Sequence, residues 1–336
     1  MAQFRAGTRV RALLPWQEGE LERLQTLYQA GSLSHAFLIH DLGHEVEASR
    51  SFAAQFAAGV FCENQLLGGC LRCSSCQLRQ AGSHADLHWL QPEEAKQIKI
   101  EQIRSAIDWS HQTAQQGRAK VLVLDTVEHM NMYAINALLK LLEEPVENTF
   151  ILLLSSRPLL VLPTLKSRCQ RLEIAACLPA EAIVWLAKRH PDIEEADLQS
   201  LYDLTGQKPL AADQLLQSGE QNQVLNLVEG LQHWLKGEVT PIQAGQRLHV
   251  KERPEMVFDV LFRAIAEAHR QQSGSQTKMK SESVRYLSEL LKGRFDHWHL
   301  CQLSDRTVKA RQAVLSGHNL NAALLIDQFL LNTEIT

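Results

Sequence analysis

Residues 36–56 read AFLIHDLGHEVEASRSFAAQF: an apolar run, a polar break holding a single glycine, then a small-residue segment of helical length. Ala36–Ile39 is continuously apolar, as expected of a strand buried on both faces in a parallel sheet. A phosphate-binding strand–loop–helix unit requires GxxxxGK[ST] at this point. The glycines let backbone N–H groups cradle phosphate, and the lysine neutralises it. Here Gly43 is the only glycine before Gly59, and no lysine occurs between His40 and Lys96. Arg50-Ser51 imitates Lys-Ser but lies one residue beyond the position that Gly43 sets. A guanidinium is also a poor substitute for a compact ammonium at a crowded phosphate. Glu45 and Glu47 add negative charge where a triphosphate must sit. The stretch predicts a nucleotide-binding architecture with no bound ATP.

Outward from this unit the same alternation continues. Glu20–Ala30, Arg50–Phe61 and Ile100–Gln112 carry helical spacing, while Val121–Leu124, Phe150–Leu154 and Arg171–Ile174 are short buried-strand runs. Asp125 ends one of these runs, with Glu128 three residues on, in the manner of a magnesium-binding strand. Ala134–Glu144 places Ile135, Leu138, Leu139 and Leu142 on one stripe, closed by Pro145. Strands separated by helices imply an α/β fold, a parallel sheet with helices on both faces. From about Leu178 the strand runs cease. Pro179–His190 and Glu194–Leu204 read as helices of a small domain ending near Gly206–Pro209, and beyond Ser218 the chain reads as all-α. Its break is the polar stretch Gln271–Ser283, expected to be a mobile loop, and its last helix, Leu320–Leu331, is apolar on more than one face. The domains expected are 1–176, 177–217 and 218–336.

The 336 residues are 45% hydrophobic and 21% charged, which excludes wholesale disorder. Lys and Arg total 34 against 38 Asp and Glu, a net charge of −4. A chain gripping duplex DNA alone would carry a basic excess, so nucleic-acid contact here is local or shared with partners. Lys96, Lys99, Arg104, Arg118 and Lys120 are the candidates for facing a DNA backbone, against the plainer reading of a solvated surface. Apolar stretches are far shorter than the ~20 residues needed to cross a bilayer. The N-terminus MAQFRAGTRV lacks a signal core. A cytoplasmic protein is expected, with no membrane partner.

Four of the seven cysteines, Cys62, Cys70, Cys73 and Cys76, fall within fifteen residues as C-x7-C-x2-C-x2-C. Two-residue gaps let neighbouring thiolates face one ion, and Gly68-Gly69 allow the turn before Cys70. Four thiolates suit a structural tetrahedral zinc site with no open position for chemistry. An iron–sulfur pattern would need a further cysteine at position 80, which is Gln. His84 is a possible substitute ligand or a solvated loop histidine.

Thr164-Leu-Lys-Ser-Arg-Cys169 precedes the last strand run, and Leu138–Pro145 reads LLKLLEEP. An arginine before a strand is usually an ordinary surface residue. Taken together, the degenerate phosphate loop, the cysteine insertion, LLKLLEEP and Ser-Arg-Cys resemble the delta-prime subunits of bacterial DNA polymerase III clamp loaders, within the AAA+ superfamily. The match spans roughly residues 30–174. The resemblance implies an AAA+/RecA-like domain with a zinc insertion, a small helical lid domain and an all-α oligomerisation collar. It also implies a non-catalytic subunit that assists ATP-dependent loading of the sliding clamp onto primed DNA. Arg168 would be an arginine finger supplied in trans to a neighbouring ATPase, with Ser167 and Cys169 shaping its loop. The cysteines would bind structural zinc. Partners would be the tau/gamma and delta subunits, and the location the nucleoid-associated replisome. Two alternatives stay open: an active ATPase resembling tau/gamma, and a zinc-stabilised nucleic-acid-binding module.

Overall fold

The computed structural model describes residues 13–92, 97–116, 119–248, 254–275, 281–315 and 321–333. The chain divides into two units, Met1–Cys177 and Leu178–Thr336. In the first, β1 (Ala36–Asp41), β2 (Leu87–Leu90), β3 (Lys120–Leu124), β4 (Thr149–Leu154) and β5 (Gln170–Ile174) form one sheet in the order β2-β3-β4-β1-β5. Every pairing is parallel. Strands β1, β3 and β4 are buried along their whole length, which explains the apolar runs Ala36–Ile39, Val121–Leu124 and Phe150–Leu154 within them.

Helices α1 (Glu18–Gln29) and α2 (Val46–Phe61) cover one face, where Phe52 and Phe56 meet Phe37, Ile39 and Leu152. Helix α3 (Ser74–Gln80) belongs to the cysteine insertion. Helices α4 (Ile100–His111), α5 (Met132–Glu143) and α6 (Pro163–Lys166) cover the other face, where Leu138 and Leu165 join Leu38, Leu122 and Leu153. Crossover direction explains the division. The chain passes from β1 out to β2 and then returns through β3 and β4 to β5, and right-handed crossovers running in opposite directions place their helices on opposite faces. Helix α5 starts where the Asn131 side chain accepts the Ala134 N–H at 2.9 Å and stops before Pro145, as the sequence predicts.

Two elements of this unit depart from expectation. Strand β2 went unread because it is a short edge strand whose Leu87, His88 and Trp89 are only half-buried, leaving neither an apolar run nor an alternation. Helix α2 begins at Val46 rather than Arg50, so the phosphate-loop segment is shorter than the polar sequence suggests.

Lys120 corrects a reading of charge. Its side chain is buried, and Nζ donates to the carbonyls of Trp109 (2.5 Å), Ser110 (3.3 Å) and Gln112 while lying 4.8 Å from the Trp109 ring. A cation placed on the last carbonyls of α4 meets the negative end of the helix dipole. Lys120 is therefore unable to face DNA. Lys99 and Arg104 are exposed, whereas Lys96 and Arg118 lie outside the described residues.

The second unit contains helices only among the described residues: α7 (Pro179–Arg189), α8 (Glu195–Leu204), α9 (Pro209–Ser218), α10 (Gln221–Leu235), α11 (Pro241–Leu248), α12 (Glu255–Gln272), α13 (Glu282–Arg294), α14 (His297–Leu315) and α15 (Ala322–Leu331). Helix α9 starts at Pro209, at the end of the Gly206–Pro209 stretch. Helix α12 packs against both α13 and α14, and α8 is tied to the start of α13 by the buried Asp203, which accepts the Ser281 N–H at 2.7 Å. The polar stretch at 271–283 ends α12 and begins α13, with residues 276–280 outside the described set. Leu320 also lies outside it. The last helix, which the sequence shows apolar on more than one face, is enclosed on one side only: Ile326, Phe329 and Leu330 of α15 are buried, but Leu324 and Leu331 are 55% and 47% exposed. Among the described residues no helix is long and apolar enough to cross a membrane.

Replacing Lys120 by Met should lower stability by about 1–3 kcal/mol, the range for a lost hydrogen bond to a charged group. Urea denaturation monitored by circular dichroism measures this. An unchanged midpoint would return the lysine to the solvent-facing role.

Candidate functional site

The carboxyl ends of β1 and β3 are where an α/β sheet ordinarily receives a nucleotide. In this chain, its own side chains fill that position. Asp41, the last residue of β1, is buried, and its Oδ2 accepts the Glu45 N–H at 2.9 Å, with the Gly43 amide also directed at the carboxylate. The Leu42 N–H goes to the Ile174 carbonyl at 2.9 Å, and the His44 N–H to the Asp41 carbonyl at 3.0 Å. Amides that would cradle phosphate thus already serve a carboxylate or a carbonyl. A Cβ at Gly43 would stand 2.9 Å from Asp41 Oδ2, so glycine is what lets the loop fold over the aspartate. Burial raises the Asp41 carboxyl above its ordinary range, against the pull of the Glu45 amide.

Asp125 follows β3 with its side chain fully buried, and Arg50 Nε donates to its Oδ2 at 2.7 Å. Arg50 also reaches Glu47 at 2.5 Å, one turn back on α2. Burial works against the charge on Arg50, but Asp125 and Glu47 outweigh it and hold its pKa above the ordinary value. Burial conversely raises the Asp125 carboxyl, with Arg50 opposing it. The imitation phosphate cation and the imitation magnesium ligand are thus spent on each other. Glu128 is likewise engaged, since its Oε1 accepts from both the amide (3.0 Å) and hydroxyl (2.5 Å) of Ser156.

Arg168 stands at the other end of the sheet. Gln170 is paired with Phe37, so the arginine precedes the start of β5, at least four residues from the level of Asp41. At ~3.3 Å per residue that is roughly 13 Å along the strands. Arg168 is exposed, and its guanidinium donates to Glu143 Oε1 through Nε at 2.7 Å and to the Thr164 carbonyl at 3.1 Å. Glu143 is the last residue of α5 and belongs to the LLKLLEEP stretch. Ser167 is exposed and donates to the Thr164 carbonyl at 3.0 Å. Cys169 instead points into the core beneath, where burial pushes its thiol up to about 12.

The four cysteines come together as their spacing predicts, with all Sγ atoms within 4.8 Å of one another and Cys70 and Cys76 at 4.0 Å. Tetrahedral Zn–S bonds of ~2.3 Å imply Sγ–Sγ edges of roughly 3.8 Å, so the cluster can hold such an ion with little adjustment. Gly69 has φ 87°, and a Cβ there would stand 2.9 Å from Cys76 Sγ. The amides of Arg72 and Cys73, then the Asn64 side chain, bring the Cys70 thiol down to about 6, while burial pushes Cys76 up to about 12. Arg79 is buried beside the cluster, and its Nε and Nη2 have no hydrogen-bond partner among the described residues. An unpaired buried guanidinium calls for nearby negative charge, which a metal tetrathiolate supplies. His84 proves to be neither ligand nor solvated. It is buried, stacks on Phe61 at 4.1 Å, and bonds Ser75 Oγ (2.8 Å) and the Asp86 amide (3.2 Å) through its two ring nitrogens.

Asp41 and Glu143 escaped the sequence reading. Asp41 carried a signal, an aspartate two residues before glycine at a strand end, which is the pattern of an Asx turn. Glu143 carried none that separates it from Glu144.

Comparison with known proteins finds relatives along most of the chain. Residues 16–177 match the family described as DNA polymerase III, delta subunit. A DNA polymerase III subunit delta' from Pseudomonas aeruginosa is 33% identical over 95% of this chain and 96% of its own length. The subunit delta' of Escherichia coli is 29% identical over 95% of each. Among solved structures, a DNA polymerase III gamma subunit-related protein from Thermotoga maritima is similar over 93% of this chain and 98% of its own, at 17% identity and a TM-score of 0.45. With relatives aligned across nearly the full length and the motifs placed as described, the chain belongs to the DNA polymerase III delta-prime subunit family.

Proposed function

We propose that this chain is the clamp-loader subunit that turns over no ATP itself and completes the ATP site of a neighbour. The observation that carries the reading is the separation within one domain. The loop at the exit end of β1 is closed by Asp41, while an exposed arginine precedes Gln170, whose own level is already roughly 13 Å away along the strands, at the opposite end. A guanidinium in that position is beyond reach of its own chain's loop and is open to another subunit. Charge spreads over the γ-phosphate oxygens during phosphoryl transfer, and an arginine supplied in trans stabilises it. Arg168 is that finger. Ser167 holds the turn through Thr164, and Cys169 anchors it in the core. Release from Glu143, an exposed partner, costs little, so the side chain can swing toward a neighbour.

The partners in this reading are the tau/gamma ATPase subunits and the delta subunit, with the sliding clamp and primed DNA met through the complex, at the nucleoid-associated replisome. Residues 177–217 serve as the lid and 218–336 as the collar, to which the exposed Leu324 and Leu331 of α15 offer an apolar surface. Cys62, Cys70, Cys73 and Cys76 hold zinc, which fixes the loop between α2 and α3. The buried Lys120 and the acidic balance speak against an independent nucleic-acid module.

Arg168→Ala should leave folding and assembly intact, yet slow hydrolysis at the adjoining site by ~10³-fold or more in single-turnover assays of the reconstituted complex. Arg168→Lys should restore little, since the forked geometry is lost. Full turnover in either variant would reject the finger. Isothermal titration of the isolated chain with MgATP should give no binding heat, whereas micromolar affinity would move the chain to the ATPases. Elemental analysis should find zinc, and Cys73→Ser and Cys76→Ser should each lower its content by one equivalent. Zinc content unchanged in both would dismiss the ligand assignment.

A further inference from the structure

Three further metal-ligating side chains converge in the second unit, on helices unrelated to the cysteine insertion. His297 and Cys301 are four residues apart on α14, on one helical face, and His269 comes from α12 packed alongside. Their ligand atoms all lie within 4.8 Å of one another, with Cys301 Sγ at 3.9 Å from His297 Nε2 and 4.0 Å from His269 Nε2. Zinc bonds of ~2.3 Å to sulfur and ~2.0–2.1 Å to nitrogen, in a tetrahedron, would set S···N edges near ~3.6 Å. The observed separations exceed that by a few tenths of an ångström, which small rotations of exposed side chains close.

We propose that His269, His297 and Cys301 form a second zinc site, bridging α12 and α14. Two imidazoles and a thiolate are a borderline-soft donor set that suits Zn²⁺ and is unsuited to Mg²⁺ or Ca²⁺. On binding, Cys301 releases its thiol proton to solvent, and the imidazoles coordinate as neutral ligands. His297 and Cys301 are exposed and His269 is half-buried, so the fourth position faces solvent and takes water. This differs from the closed Cys62–Cys76 cluster, where four protein ligands leave no such position. The second site therefore exchanges its metal more readily and joins two helices instead of shaping a loop.

The test is zinc titration of the untagged full chain against a competing chromophoric chelator, repeated with Co²⁺ to record thiolate-to-metal absorption. The wild type should bind one equivalent more than Cys301→Ser, His297→Ala or His269→Ala, and Cys301→Ser should lose part of the Co²⁺–thiolate band. His299→Ala, a neighbouring histidine that pairs with Asp296 outside the cluster, should keep the full stoichiometry. Because the comparison is a difference of one equivalent, it stands whether or not the four-cysteine cluster is loaded. Equal stoichiometry in the wild type and the three ligand variants overturns the proposal, and so does an equivalent loss in His299→Ala. Circular dichroism of each variant separates lost metal from lost fold.

Discussion

A carboxylate buried completely at the end of a central strand has to be met by a cation, and here Arg50 meets Asp125. Removing one partner from such a pair costs about 3–5 kcal/mol, because the remaining charge is stranded in a poor solvent. A nucleotide entering this crevice would have to draw Arg50 onto phosphate or Asp125 onto magnesium, and so break the pair. Micromolar binding is worth about 8 kcal/mol. Giving up 3–5 of it weakens affinity by ~10²–10³-fold at every 1.4 kcal/mol per decade, before the missing lysine is considered. Asp41 compounds the effect by placing a carboxylate where phosphate needs amide donors. The closure of the site is thus built from the residue types of an open one, redirected toward each other.

How much of this was legible in the sequence depends on how local each feature is. The cysteine spacing fixes its own geometry within fifteen residues, so the cluster could be read directly. Buried strands β1, β3 and β4 announce themselves by continuous apolar runs, whereas the edge strand β2, with His88 and Trp89 half-buried, does not. The Arg50–Asp125 pair joins residues 75 apart, and only the parallel packing of β1 against β4 and β4 against β3 brings α2 over the end of β3. Lys120 misled for the same reason. A lysine at the start of a strand usually points to water, and its capture by the end of α4 is a tertiary event.

Arg168 shows the limit from the other side. Its sequence context named a candidate, but the register of β5 against β1 is what separates it from the loop. That separation turns a weak tripeptide into a positional argument: an arginine useful to phosphate chemistry, held where its own domain has none. Glu143 then has a clear physical part. It neutralises an exposed guanidinium, and because the carboxylate is half-exposed the pair is weak and readily opened.

Two clusters of candidate metal ligands bear on this division of labour. The first lies in the insertion directly after α2, the helix that carries Arg50, with the buried Arg79 beside it. A bound tetrathiolate ion would carry negative charge, so metal binding adds to the counter-charge that the cysteines offer Arg79. Loading that site would therefore place more negative charge beside a buried cation near the far end of the helix that carries Arg50. Helix α2 holds Arg50 on Asp125, and under the function proposed above this leaves Arg168 as the cation of the domain offered to a neighbour's phosphate.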